Sequence, residues 1–123
     1  MMERSNSFVG LIVWQRPHGL TLSIYRLTHS FLKPELYAMT SQMRRAAYSS
    51  RSNIAEGLAK KGVRGKARFY TIAHGFLQKL KCFVLLSSNL DYHNQKDLFN
   101  DIIDEGGKML NTYISKLNTS THS

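Results

Sequence analysis

The sequence is poor in residues that break helices or cross-link a chain. Only 2 of its 123 residues are proline, and Cys82 is the single cysteine. The low proline content argues against a disordered linker, and a lone cysteine excludes an internal disulfide and suits a reducing cytoplasm. We expect Cys82 to be a small buried side chain. Neither a membrane span nor a secretory signal is expected, because no run of about 18 apolar residues occurs and the apolar segment 7–14 lacks a basic start and a cleavage site.

Acidic residues are scarce as well. The chain has 8 Asp and Glu against 17 Lys and Arg, a formal net charge of +9. Between Arg44 and Lys81, Glu56 is the only acid, so this stretch alone carries the net charge of the whole chain. Such self-repulsion usually accompanies a polyanionic partner, and nucleic acid is the leading candidate. The residues expected to bind it are Arg44, Arg45, Arg51, Lys60, Lys61, Arg64, Lys66, Lys79 and Lys81.

Apolar periodicity predicts four helices, near residues 17–32, 40–61, 65–87 and 94–117, in a single domain that spans 1–123. Pro17 suits the first turn of the first helix, and Thr40 and Ser41 are expected to cap the second. The N-terminal segment and the C-terminal tail are expected to fray. The predicted core faces are Leu20, Ile24, Leu27 and Phe31; Met43, Ala46, Ala47, Ser50, Ile54 and Leu58; Phe69, Ile72, Phe76, Leu80 and Phe83; and Leu98, Ile102, Met109, Tyr113 and Leu117.

Four amphipathic helices joined by short connections predict an all-α, antiparallel up-and-down four-helix bundle. Within it, Asn53 and Glu56 lie three residues apart and can share a helix face. We expect Glu56 to be buried and paired with Arg68 or Arg45, and Gln42 to belong to the same structural network. A buried pair of this kind would cost about 3 kcal/mol to break. The alternative is that these residues contact RNA or take part in catalysis.

Five ordered blocks of the sequence carry a family resemblance. The blocks are Val13-Trp14-Gln15, Ile24-Tyr25-Arg26-Leu27-Thr28, Thr40-Ser41-Gln42-Met43-Arg44-Arg45-Ala46-Ala47, Ser52-Asn53-Ile54-Ala55-Glu56-Gly57 and Arg68-Phe69-Tyr70-Thr71-Ile72-Ala73-His74-Gly75. Together they resemble the four-helix-bundle proteins encoded in intervening sequences of bacterial 23S ribosomal RNA genes. The resemblance implies an up-and-down bundle that assembles into a ring-like pentamer. A related branch, the accessory variability proteins of diversity-generating retroelements, uses a basic pentamer to bind a reverse transcriptase and its RNA template.

Three departures from this family pattern shift the chain toward positive charge. Gly65 stands where many members have an acid, and Lys79 and Lys81 replace two further acids. Exposed helix positions tolerate either sign, so the shift is attributed to a partner rather than to folding. The departures favour the branch that handles nucleic acid.

Residue patterns typical of catalysis are missing. The sequence has no phosphate-binding glycine loop, no nucleophile elbow and no paired-cysteine metal site, and no Glu stands three residues before a His, as a carboxylate-bridged metal site in a bundle requires. We therefore expect no enzyme activity, no cofactor and no bound metal. The acids of the fourth helix are interpreted as a solvated face or as a docking strip for the basic face of a neighbouring subunit; they are Asp97, Asp101, Asp104 and Glu105.

These observations favour a non-catalytic, cytoplasmic scaffold. An oligomeric bundle, expected to be a pentamer, would present basic faces to RNA or an RNA–DNA hybrid and to a reverse transcriptase. Tyr48 and Tyr70 are candidates for stacking on unpaired bases, although packing is the favoured role for each. The alternative function is a protein–protein adaptor of the intervening-sequence type that does not bind nucleic acid directly. An enzyme is the least favoured class.

Overall fold

The computed structural model describes residues 19–31 and 36–122. Within them the chain forms four helices, which we label α1 (19–29), α2 (Tyr37–Ala59), α3 (Val63–Asn89) and α4 (Lys96–His122). The predicted all-α four-helix bundle is confirmed. The helix ends differ from the predicted ones by a few residues, most of all at α4, which continues to His122 where fraying was expected after 117. Residues 1–18, including the expected helix start at Pro17, lie outside the described part.

Contacts between neighbouring helices show the antiparallel arrangement. Thr21 near the start of α1 donates to the carbonyl of Ala47, and Arg44, one turn earlier in α2, donates to Thr28 near the end of α1. The ring of Tyr70, near the start of α3, meets that of Tyr113 near the end of α4 at 5.1 Å between centroids. None of the helices in the described part of the chain combines the length and the apolar character that a membrane crossing requires.

The core faces predicted for α1 and α2 are confirmed. Leu20, Ile24, Leu27 and Phe31 are buried, and so are Met43, Ala46, Ala47, Ser50 and Ile54. Thr40 and Ser41 are not caps, because α2 begins earlier, at Tyr37, with Leu36 in the capping position. The cap residues were misplaced because the helix starts without any side-chain cap, so no sequence signal marks its first turn.

Of the core face predicted for α3, Leu80 is confirmed, and the other four positions are wrong by one residue. Tyr70, Ala73, Leu77, Leu80 and Val84 are buried, whereas Ile72 is exposed and Phe69 and Phe76 are half-buried. One residue is about 100° of helix rotation, and both faces are apolar at spacings of three and four. The buried face contains the smaller residues, which let neighbouring helices approach more closely.

The face of α4 is shifted in the same way. Phe99, Ile103 and Leu110 are buried, and Leu98 is exposed. Ile102, Met109, Tyr113 and Leu117 are only partly buried against this core. Cys82 is exposed, contrary to the expectation that it is buried, because it lies on the outer surface of α3 between the core positions Leu80 and Val84.

The junction between α2 and α3 is closed by a glycine and a lysine. A Cβ at Gly57 would lie 2.5 Å from Cε1 of Tyr70, so only glycine lets the Tyr70 ring pass this close to α2. The Lys66 ammonium group donates at 3.1 Å to the carbonyls of both Gly57 and Leu58 in the last turn of α2, where the regular helical hydrogen bonds end. The Gly57 carbonyl also accepts from the Lys60 backbone N–H at 3.3 Å. Lys66 therefore caps the preceding helix and fixes the turn.

The junction between α3 and α4 is organised by His93. Its Nδ1 accepts a hydrogen bond from the Gln95 backbone N–H at 3.0 Å, so the proton of the neutral ring is on Nε2. Nε2 lies 3.1 Å from the Val84 carbonyl and 3.0 Å from the Ser87 hydroxyl. Burial lowers the pKa of His93, which keeps the ring in this neutral form.

Candidate nucleic-acid interface

Two groups of basic residues lie far apart on the bundle surface. Lys60, Lys61 and Arg64 are exposed at the α2–α3 turn. Arg44 and Arg45 lie on α2 beside α1, about 24 Å from Lys60 along the helix axis. The continuous basic stretch of the sequence is therefore not one continuous patch in the fold.

At the turn, the backbone holds the three bases in a short arc. Gly62 is extended, and Lys60 is extended after the last turn of α2, so the chain leaves one helix and enters the next within a few residues. The Lys60 ammonium group lies 5.2 Å from the centroid of the Phe69 ring, which steadies it by a cation–π contact. Among the described residues, no acid pairs with any of the three.

Several of the predicted contact residues have structural partners; besides Arg44, which donates to α1, these include Lys66 and Lys81. Lys66 is half-buried and donates to the α2 carbonyls, and desolvation lowers its pKa. Lys81 forms an ion pair with Asp104 of α4 at 2.7 Å. The Lys66 and Lys81 ammonium groups each have a partner in the fold, although the Lys81 side chain is 38 % exposed, so neither is as available to a phosphate as the turn bases. The same ion pair removes Asp104 from the proposed acidic docking strip, whereas Asp97 and Asp101 are exposed.

The predicted buried network of Gln42, Asn53, Glu56 and Arg68 is wrong. Glu56 and Arg68 are both exposed. Asn53 donates to the Ser49 carbonyl of its own helix at 2.8 Å, and Gln42 has a buried Oε1 without a hydrogen-bond partner among the described residues. The physical reason is helix geometry: Glu56 lies about 200° around α2 from the buried Ile54, so it points to solvent.

The remaining predicted bases are spread over the surface. Arg45 and Lys79 are exposed, and Arg44 and Arg51 are half-buried. Of the two tyrosines considered for stacking, Tyr48 is exposed, whereas Tyr70 is 1 % exposed. Burial and the nearby Tyr113 raise the pKa of Tyr70, in keeping with a core position. Among the described residues, no three His, Cys, Asp or Glu side chains meet in a way that could hold a metal ion.

A groove between α1 and α2 was not predicted from the sequence. It is lined by Tyr25, Tyr37, Thr40, Ser41, Arg44, Arg45 and Tyr48. A usable signal was present, since the α2 members recur at spacings of three and four and therefore share a helix face. The presence of Tyr25 in the groove could not be predicted in this way, because Tyr25 belongs to the neighbouring helix.

Comparison with known proteins identifies a family. The family model described as 23S rRNA-intervening sequence protein matches residues 10–112. This range takes in α2 and α3 entirely and α4 for most of its length. A search of curated proteins finds no match.

Proposed function

Because the chain belongs to the family of 23S rRNA-intervening sequence proteins, we propose that it is a cytoplasmic, non-catalytic scaffold that binds nucleic acid through basic faces of an oligomer. In the finer form of this proposal, the nucleic acid is RNA or an RNA–DNA hybrid and the chain acts as an accessory protein of a retroelement reverse transcriptase. The family sets the architecture, and the surface charge of this chain supports the binding function.

The observation that carries the proposal is the exposed basic turn between α2 and α3. Lys60, Lys61 and Arg64 lie within a span of five residues. The nearest acid in sequence, Glu56, is not paired with them. Bases held close together without acidic partners keep a local positive potential that favours phosphates. Binding of this kind is driven by the release of counterions and carries little sequence information.

An apolar stripe on the outside of α3 supports self-association. Its positions recur at the three- and four-residue spacings of a helix-packing seam, with Lys79 in the middle. Leu86 and Leu90 are 45 % and 48 % exposed and extend a row of apolar positions along one side of the helix, and it is such a contiguous row that points to an interaction surface. A second copy of the chain is the proposed occupant of the stripe, and the pentameric ring implied by the resemblance is the proposed assembly. The stripe consists of Phe69, Ile72, Phe76, Phe83, Leu86 and Leu90.

The same stripe favours the second candidate function, a protein–protein adaptor that does not bind nucleic acid. In that case a partner protein, rather than a second copy, covers the apolar residues, and the basic turn contacts acids of that partner. The genomic neighbourhood of the chain bears on this choice. A reverse transcriptase gene with a template repeat beside it supports the accessory role, and a location inside a ribosomal RNA gene contradicts that role.

The direct test of nucleic-acid binding removes the turn bases. Lys60, Lys61 and Arg64 are changed together to Ala, and Lys66 is left in place because it caps α2. Affinity for single-stranded RNA should fall, and the slope of log affinity against log salt should become shallower by about 2, since each phosphate contact contributes about −0.7. An unchanged affinity and slope would contradict the proposal and favour the adaptor.

A charge-matched variant serves as the control for this test. Changing Arg26, Lys96 and Lys108 to Ala removes the same number of positive charges from α1 and α4. It should lower the salt slope much less than the turn variant does. Equal effects of the two variants would mean that net charge, rather than the turn, governs binding.

Self-association is tested by placing charge in the stripe. Leu86→Glu with Leu90→Glu should dissociate the oligomer without unfolding the bundle, because both side chains are largely exposed. Leu22→Glu with Leu98→Glu is the matched control, since these leucines are similarly exposed on α1 and α4. Sedimentation equilibrium measures the mass. A parent protein that stays at the 14.1 kDa monomer mass at micromolar concentration would refute the oligomer.

A further inference from the structure

The exposed tyrosines of the chain all border one groove. Tyr25, Tyr37 and Tyr48 are 39 %, 76 % and 46 % exposed and line a groove of about 270 Å³ between α1 and α2. The other tyrosines are buried or half-buried. Exposed aromatic rings that cluster on one face are typical of a binding surface, because scattered placement would serve stability equally well. The volume is near the lower end of small-ligand sites and suits a group of about nucleotide size.

The groove also holds a guanidinium group in a fixed position. Arg44 Nε donates to the Thr28 hydroxyl at 2.8 Å, and its Nη2 donates to the Tyr25 carbonyl at 3.2 Å. The guanidinium carbon lies 4.6 Å from the centroid of the Tyr25 ring. These contacts use two of the five N–H donors of an arginine, which leaves three. The side chain is therefore ordered before a ligand arrives, and donors remain for that ligand.

Among the described residues, the charge of the groove has no acidic counterpart in its lining. Arg45 is exposed at its edge, and no Asp or Glu is among the lining residues. Ser41 is exposed and adds a hydroxyl on the same face of α2. The groove thus combines flat aromatic surfaces, a planar guanidinium group and a second cation within one short segment of helix.

We propose that this groove binds a nucleotide of single-stranded nucleic acid. The base would stack on Tyr37, Tyr48 or the Arg44 guanidinium plane, and the adjoining phosphates would contact Arg44 and Arg45. A duplex hides the faces of its bases, so the groove selects unpaired strands, whereas the basic turn contacts phosphates of any strand. An acidic protein segment would use the two arginines but not the exposed rings of Tyr37 and Tyr48, which is why nucleic acid fits better. The inference rests on the proposed function and adds to it a separate, strand-selective site.

The test separates stacking from charge. The probe is a fluorescein-labelled, unstructured RNA of about 15 nucleotides, which matches typical single-strand sites. Tyr37→Ala with Tyr48→Ala should weaken its binding by about 5- to 150-fold for each base that loses its stacking partner. The salt slope should stay the same, since no charge is removed. Tyr37→Phe with Tyr48→Phe is the matched control and should bind as the parent does, because the rings remain.

Three results would overturn the inference. The first is equal affinity of the parent protein and the alanine pair for the RNA. This result would refute binding in the groove and leave the basic-turn proposal intact. The second is an equal loss of affinity for a duplex of the same length. The third is binding of polyglutamate to the parent as tightly as that of the RNA, together with the same fold-loss of polyglutamate affinity in the alanine pair. A parent that binds no nucleic acid refutes both proposals. Circular dichroism checks that each variant is folded.

Discussion

The contact between Gly57 and Tyr70 gives a sharp test of how α2 and α3 pack. In Gly57→Ala the new Cβ would lie 2.5 Å and 2.8 Å from two carbons of the Tyr70 ring. The ring cannot swing into solvent to make room, because Tyr70 is 1 % exposed and packs edge-on against Tyr113. Overpacking of this kind costs about 1–3 kcal/mol. The gain in helix propensity offsets only part of it, since Gly57 is close to the end of α2.

We expect Gly57→Ala to lower the free energy of unfolding by about 1–2 kcal/mol, or Tm by about 4–8 °C for a chain of this size. Gly75→Ala is the matched control. Gly75 is exposed in the interior of α3, and a Cβ added there would meet nothing within 4 Å, so this change should raise stability by about 0.5–1 kcal/mol. The two alanines therefore act in opposite directions.

A double-mutant cycle attributes the cost to the contact itself. In a Tyr70→Leu background the ring is absent, so Gly57→Ala should cost little, and the coupling should be about 1–2 kcal/mol. Urea denaturation followed by circular dichroism, at one protein concentration for all variants, measures these values. Stabilisation of the parent by Gly57→Ala to the same extent as by Gly75→Ala would refute the close approach of the two helices.

Three further predictions concern side chains whose roles the structure reassigns or defines. Lys66→Met should lower the free energy of unfolding by about 1 kcal/mol, because the α2 carbonyls lose a charged donor. Thermal melting checks this, and an unchanged Tm would contradict the capping role of Lys66. Glu56→Ala should change the free energy of unfolding by less than about 0.5 kcal/mol, since the side chain is exposed; a loss near 3 kcal/mol would reinstate the buried pair. The lowered pKa of His93 means that its contribution is fully present above the unfolded value of 6.5 and is lost as the pH falls below it. Melts at pH about 7.5 and about 5.5 should therefore differ less in His93→Gln than in the parent, and equal differences would contradict this role.

The candidate site was only partly predictable from the sequence. Lys60, Lys61 and Arg64 flank glycines, and a glycine-broken turn between two helices is exposed in almost any bundle, so their accessibility followed from the sequence. The ion pair of Lys81 with Asp104 could not be predicted from the sequence, because Asp104 lies on the next helix. The groove at Arg44 required the register of α1 against α2, which places the Thr28 hydroxyl and the Tyr25 carbonyl beside the guanidinium group.

The sequence by itself determined the number of helices, their approximate ends and the core faces of α1 and α2. On those two helices most apolar residues recur on one face, so one rotation buries them, although Leu22, Tyr25 and Tyr48 stay exposed. On α3 two adjacent faces are apolar, and the sequence cannot choose between rotations that differ by one residue. The tertiary structure decided this: Tyr70 and Ala73 turn inward because Gly57 and the small side chains of that face allow the helices to approach closely, whereas Ile72 and Leu86 are left on the outside.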